Sequence, residues 1–181
     1  MWPRDPDEFI ANHITPDGPE SSDAWYFVFM RGELVCKTVQ GAPEPINGDD
    51  FRCFDVEVKS KHFLGHHGSV PCFALSAKGS VPEGYALVPL RGLLGRVAQP
   101  LFYLAGRALQ IIDWYDTNQF CGRCGAKMAL HSQDRAMSCK DCRLINYPRL
   151  SPSIIVLVTK GEEMLLARNA NWPANMYSTL A

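Results

Sequence analysis

The sequence predicts an α+β protein on three observations. Residues 25–90 carry short β-branched and aromatic runs separated by Gly, Pro, Asn and Asp breaks, the pattern of a small, mainly antiparallel β domain. From Gly92 to Asn118 the apolar spacing changes to steps of three and four residues, which reads as a helix. Four cysteines then follow as two Cys-x-x-Cys pairs, Cys121/Cys124 and Cys139/Cys142, with fourteen residues between the pairs.

That cysteine spacing is the spacing of a zinc ribbon, two tight knuckles joined by a hairpin. Four thiolates at about 2.3 Å complete a tetrahedral Zn²⁺ and leave no open position, so the expected ion is structural. Gly125 suits the positive φ that a knuckle turn needs. Two disulfides would require an oxidising compartment, and no apolar leader follows Met1. A thioredoxin-like motif explains one Cys-x-x-Cys and not two. Cys36, Cys53 and Cys72 stand alone beside apolar neighbours and are expected as buried free thiols.

The 181 residues are 46% hydrophobic, enough to build a core. A net charge of −1 disfavours wholesale electrostatic attachment to nucleic acid or anionic membrane. No apolar run approaches about 18 residues, so no membrane span is expected and the predicted location is cytoplasmic.

The elements are predicted in order. Residues 1–24, with four prolines among Asp, Glu and Ser, form a loop-rich opening. Ala24–Met30 is a strand, Arg31-Gly32-Glu33 a tight turn, and Leu34–Val39 the returning strand. Residues 40–50 form a loop. Phe51–Val58 alternates with one slip, which predicts a bulge or a strand start near Cys53. Lys59–Ser69 holds His62, His66 and His67; the glycines around His66-His67 predict an exposed turn rather than a second metal site. Val70–Leu75 and Tyr85–Leu90 are strands around a turn at Gly79–Glu83. The β domain thus covers residues 1–98. A linking helix covers 99–118, with its confident part at 100–116 and Pro100 at its start or at a bend. The ribbon covers 119–149. In residues 150–181, Ile154–Val158 predicts a strand buried on both faces, Thr159–Glu163 a hairpin turn, Met164–Ala167 the return, and Tyr177–Ala181 a further strand. Thirty residues are too few to cover so apolar a run, so the sequence reads as cut within a domain.

These residues carry a family resemblance. Leu104-Ala105-Gly106-Arg107-Ala108, Cys121-Gly122-x-Cys124-Gly125, Cys139-x-x-Cys142, Tyr147-Pro148-Arg149-x-x-Pro152-x-Ile154-Ile155-Val156, Leu165-Leu166-Ala167 and Ser178-Thr179-Leu180-Ala181 resemble the zinc-ribbon NADH pyrophosphatases. The likeness is close over 100–181 and looser over 25–90, where it rests on Arg31-Gly32-Glu33-Leu34. Such Nudix hydrolases split NAD(H) into NMN(H) and AMP and remove NAD caps from RNA. The resemblance implies that residues 150–181 are the first strands of a Nudix α/β/α sandwich. It also implies a homodimer with composite sites and a catalytic Mg²⁺ or Mn²⁺ held by the glutamates of a Nudix box. That box, Gly-x₅-Glu-x₇-Arg-Glu-x-x-Glu-Glu-x-Gly, does not occur in the 181 residues. Glu33, Glu57, Glu83, Glu162 and Glu163 offer no helical cluster in its place, so the chain by itself is expected to be inactive.

The resemblance places residues individually. Cys121, Cys124, Cys139 and Cys142 match the zinc ligands. Arg31, Arg91, Asp134 and Tyr147 match substrate-binding positions, with Asp134 standing where the family has a longer Glu, and with Arg91 matching only across a one-residue gap. Ala181 matches the residue whose backbone carbonyl reaches the catalytic metal. Two other classes compete. One is a zinc-ribbon module binding RNA or protein through Arg123, Arg135, Lys140, Arg143 and Arg149; the other is a catalytically dead paralogue that regulates an active partner.

Overall fold

A computed structural model describes residues 8–18, 21–37, 43–44 and 46–181. It divides into two compact units, Met1–Pro148 and Arg149–Ala181. Its mixture of helix and strand is the α+β class that the sequence predicts.

Among the described residues, the first unit is built on a seven-stranded sheet. Its strands are β1 (Phe9–Ala11), β2 (Trp25–Met30), β3 (Glu33–Lys37), β4 (Ile46–Asn47), β5 (Val56–His67), β6 (Val70–Gly79) and β7 (Tyr85–Val88). The order is β1-β5-β6-β2-β3-β7, with β4 paired to β2. Antiparallel ladders dominate, as expected, but the central β2–β6 pairing is parallel, from Trp25↔Cys72 to Phe29↔Ser76. The sheet is buried on both faces, which is why Tyr26 to Met30 are all buried. One face packs Tyr26, Val28, Phe63 and Phe73 under the short helix α1 (Gly48–Arg52), with the Tyr26 and Phe51 rings stacked at 4.8 Å. The other packs Phe27, Phe29, Leu64 and Ala74 under the long helix α2 (Gln99–Thr117).

Helix α2 begins at Gln99 with Pro100 in its first turn, where a missing N–H costs nothing. Leu104, Ala105, Ala108, Ile111, Ile112 and Trp114 form its buried stripe. The same core cluster takes in Cys121, Met128, Met137 and Cys139, so helix, sheet and ribbon share one apolar interior.

Several expectations change. The opening is not all loop: Phe9–Ala11 pairs with Gly65–His67. The 40–50 segment contains β4 and the start of α1; residues 38–42 and 45 lie outside the described residues. The missed signal was Asn47, an N-cap whose side chain accepts from Asp50 N–H at 2.8 Å, followed by two acidic residues. Of the two readings of the slip in Phe51–Val58, the bulge is not found at Cys53; a helix ends there and the strand start falls three residues later. The strand begins at Val56, and its irregularities fall at Val58/Ser60 and Phe63/Gly65. The strand then runs through the histidines to His67, so His66 and His67 are paired strand residues and His62 is 7% exposed. Cys36 and Cys72 are buried as expected, and burial pushes both thiols up to about 11, which makes them inert. Cys53 is exposed.

Gly65 sets how closely β1 can lie. Its φ is +133°, and an added Cβ would sit 2.0 Å from the Ile10 carbonyl oxygen. The clash is with backbone, which cannot rotate away. Gly65→Ala is expected to lift β1 off β5 and cost about 3 kcal/mol in a urea unfolding experiment. An unchanged midpoint would mean that the strand is not held this tightly.

In the second unit, β11 (Val158–Lys160) and β12 (Glu163–Leu165) form the expected hairpin around Gly161-Glu162, with Gly161 at φ +62°. Tyr177–Ala181 contributes bridges, Ser178 to Ala167 and Leu180 to Val156, rather than a full strand. Regular pairing starts at Val158, and only Val156 of the preceding residues makes a bridge. The expected two-sided burial of Ile154–Val158 is absent: Ile154 and Ile155 are 76% and 75% exposed. A unit of this size has too little surface of its own to cover them.

Candidate metal centre and the adjoining polar pair

The end of α2 hands the chain to the ribbon through its own side chains. Asn118 Nδ2 donates to the Trp114 carbonyl at 2.7 Å and Gln119 Nε2 to the Tyr115 carbonyl at 2.6 Å, satisfying carbonyls the helix leaves open. Two knuckles of like geometry follow. In the first, Gly125 N–H donates to the Cys121 carbonyl at 2.9 Å, with Gly125 at φ +77°. In the second, Arg143 N–H donates to the Cys139 carbonyl at 3.0 Å, with Arg143 at φ +60°. The sequence signals the first turn by its glycine; the second adopts the same conformation without one. Between and after them, β8 (Met128–Leu130), β9 (Met137–Cys139) and β10 (Ile145–Asn146) form a three-stranded sheet.

The four cysteine sulfurs lie within 4.8 Å of one another. Cys121 Sγ is 3.4 Å from Cys142 Sγ, and Cys124 Sγ is 3.5 Å from Cys139 Sγ. A tetrahedral Zn²⁺ with bonds of about 2.3 Å has sulfur–sulfur edges of about 3.8 Å, so the set fits that ion. Backbone N–H groups of the knuckles aim at sulfur: Arg123 N–H at Cys121 Sγ (3.4 Å) and Cys142 N–H at Cys139 Sγ (3.5 Å). N–H groups of Cys124 and Arg123 draw the Cys121 thiol below its ordinary pKa, whereas the Cys124 and Cys142 thiols are raised. With four protein ligands the site is closed. It holds structure and performs no chemistry.

Beside it, two of the predicted substrate residues come together. Asp134 stands at the tip between β8 and β9, and Tyr147 follows β10. The Tyr147 hydroxyl donates to Asp134 Oδ2 at 3.1 Å. That hydrogen bond and the carboxylate charge hold the phenol above its ordinary pKa. Tyr147 is 51% exposed. His131 Nδ1 accepts from the backbone N–H groups of Gln133 (3.3 Å) and Asp134 (3.2 Å), which shapes the tip. Sequence reading missed His131, although its three-residue spacing from Asp134 was visible.

Arg31 and Arg91 lie elsewhere in this unit. Arg31 is the first residue of the two-residue β2–β3 turn, at φ +55°, and Arg91 lies in the single helical turn Leu90–Leu93 after β7. The β3–β7 register sets Leu34 opposite Val88, which carries both arginines past the same end of that ladder. Ala181 belongs to the second unit and is exposed. Arg135 does not belong to a free basic patch: its Nη2 is engaged by the Asn12 and Phe63 carbonyls. Among the described residues, the four-cysteine set is the one group of three or more His, Cys, Asp or Glu side chains placed to share an ion. Glu162 and Glu163 are exposed at and beside a hairpin turn. The described residues therefore do not fit a catalytic Mg²⁺ or Mn²⁺.

A closed four-cysteine ribbon sharing a core with a helix and a two-faced sheet defines a zinc-ribbon protein of α+β class. Comparison with family models takes this further. Residues 23–114 match the NADH pyrophosphatase-like rudimentary NUDIX domain, and residues 116–147 match the NADH pyrophosphatase zinc ribbon domain. The chain belongs to the NADH pyrophosphatase-like Nudix family. The first match takes in β2 to β7 and most of α2. Among similar proteins, the NAD-capped RNA hydrolase NudC of Deinococcus radiodurans is 34% identical over 97% of this chain and 60% of the relative. That of Stutzerimonas stutzeri is 42% identical over 90% of this chain and 58% of the relative. That of Pseudomonas putida strain W619 is 41% identical over 83% of this chain and 56% of the relative. The chain thus spans about three-fifths of the length of these relatives. No helix among the described residues is long and apolar enough to cross a membrane.

Proposed function

We propose that these 181 residues supply the scaffold and part of the substrate site of a hydrolase that opens the pyrophosphate of NAD(H), or of an NAD cap on RNA, to give NMN(H) and AMP. The observation that carries the reading is the Tyr147–Asp134 contact on the zinc ribbon. The two residues come from different ends of the ribbon and meet where an exposed aromatic face can stack on a planar ring, with its hydroxyl oriented by a carboxylate. Arg31 and Arg91 offer guanidinium forks suited to phosphate oxygens. A divalent ion would neutralise charge on the pyrophosphate. No residue of the described chain is assigned to hold it except, by resemblance, the Ala181 carbonyl, and no hydrolytic step is assigned to these residues. The proposal includes a homodimer and a cytoplasmic setting. A ribbon that reads RNA through its basic residues is disfavoured, because Arg135 is spent on backbone carbonyls.

The test uses this chain, NADH and Mn²⁺ or Mg²⁺. Calorimetry is expected to show NADH binding, and chromatography to show neither NMNH nor AMP. Tyr147→Phe and Arg31→Gly should each weaken binding about tenfold, the scale of one lost polar contact. Glycine is the informative replacement at position 31, since it keeps the positive-φ turn and removes only the guanidinium. No detectable binding would overturn the reading. Products would place a working metal site among residues such as Glu162 and Glu163.

A further inference from the structure

Asp134 sits in a short tip closed by the His131 N–H on the Ala136 carbonyl at 2.8 Å. Such a tip does not by itself hold a carboxylate in one place. Two ties flank the residue. On one side, His13 Nε2 lies 2.7 Å from the Gln133 carbonyl oxygen. On the other, Arg135 Nη2 donates to the Asn12 carbonyl at 2.6 Å and to the Phe63 carbonyl at 2.5 Å.

All these partners belong to the β1–β5 edge of the large sheet, more than a hundred residues away for Asn12 and His13. Asn12 N–H donates to the Leu64 carbonyl at 3.0 Å. Its side-chain oxygen accepts from the N–H groups of His13 (2.7 Å) and Ile14 (3.1 Å), which fixes the turn that presents the His13 ring. The bare backbone of Gly65 lets β1 approach closely enough for this arrangement. A guanidinium that bridges carbonyls from two segments defines distance and direction in a way that a flexible ammonium does not.

We propose that Arg135 is a positioning residue for the substrate pair: it locks the ribbon tip onto the β1–β5 edge so that the Asp134 carboxylate meets the Tyr147 hydroxyl. The inference rests on the substrate reading of that pair given above. Arg135 touches neither substrate nor Tyr147 in this role. It acts through the backbone on either side of Asp134.

The test reads Tyr147 directly. Tyrosinate absorbance is followed against pH in the zinc-loaded 181-residue chain, and the Tyr147 component is isolated by subtracting the Tyr147→Phe titration. Arg135→Met keeps the stem and removes the donors. It should move the Tyr147 midpoint to lower pH, as far as Asp134→Asn moves it, while zinc content stays at one per chain. Arg135→Lys should recover part of the shift. NADH Kd should rise about tenfold in Arg135→Met, with no further rise when Asp134→Asn is added, because both remove the same contact. An unmoved Tyr147 midpoint in folded, zinc-loaded Arg135→Met overturns the proposal, as do fully additive effects on Kd. If Arg135→Met does not fold, His13→Ala removes the other tie; a smaller shift in the same direction supports the proposal and no shift overturns it. The titration needs no ligand. Asp134→Asn binding NADH as tightly as the parent would therefore sink the substrate reading and leave the positioning result to stand or fall on the absorbance.

Discussion

Replacing Cys139 with Ser will release the zinc and unfold the ribbon. Cys139 is 3% exposed, ends strand β9 and opens the second knuckle. Its sulfur lies 3.5 Å from Cys124 Sγ and receives the Cys142 N–H at the same distance. In sites of this kind the metal binding energy, about 10–16 kcal/mol, is folding energy. The damage should spread beyond the ribbon, because Cys139, Met137 and Met128 share a core cluster with Ile111, Ile112 and Leu64. Metal analysis should give one zinc for the parent chain and none for the variant, and the variant should lose its cooperative melting transition. Cys53→Ser is the control, since that thiol is exposed and far from the cluster in sequence. A Cys139→Ser chain that keeps its zinc and its melting curve would remove the metal centre from this account.

The first unit should also lose stability in acid through His62. Burial pulls this imidazole down to about 4, and the neighbouring Arg135 charge adds to the effect. Its ring packs on Tyr115 at 4.7 Å, and its Nε2 is buried without a hydrogen-bond partner among the described residues. The unfolded chain therefore takes up the proton first as pH falls. The stability held by the neutral ring is complete above about pH 6.5 and is lost progressively down to about 4. Between pH 7 and 5 the loss is about 2 kcal/mol. His62→Phe keeps an aromatic ring against Tyr115 and removes the titration. The urea midpoint should fall more steeply with decreasing pH in the parent than in the variant, so that the difference between them shifts in the variant's favour toward acid pH. Parallel curves would show that the acid sensitivity lies elsewhere, for example in the cysteine thiolates.

What could be read from the sequence was whatever rests on local spacing. The helix stripe from Leu104 to Trp114, the Cys-x-x-Cys pairs and the Gly161 hairpin all depend on residues a few positions apart. Helix α1 has a local signal, but Phe51 and Phe54 imitate a strand, whereas Phe51 stacks on Tyr26 and Phe54 packs on Phe51 and Tyr85. The histidines were misplaced because their glycines look like turn residues, whereas Gly65 serves a close strand approach. Within the candidate site, the resemblance points to Tyr147 and Asp134 one by one, and their contact is visible only in the structure. The Arg135 ties to Asn12 and Phe63 could not be foreseen, since no local pattern links residues so far apart.

The parallel pairing of β2 with β6 has a kinetic consequence. Trp25 meets Cys72 across 47 positions of chain, so the centre of the sheet cannot close until that whole loop has been gathered. The ribbon hairpin joins Met128 to Cys139 across 11 positions. Local closure is fast and long-range strand pairing is slow. The ribbon should therefore be able to capture its ion before the large sheet is complete. Metal-loaded refolding should show two phases, the earlier one dependent on zinc concentration and the later one independent of it.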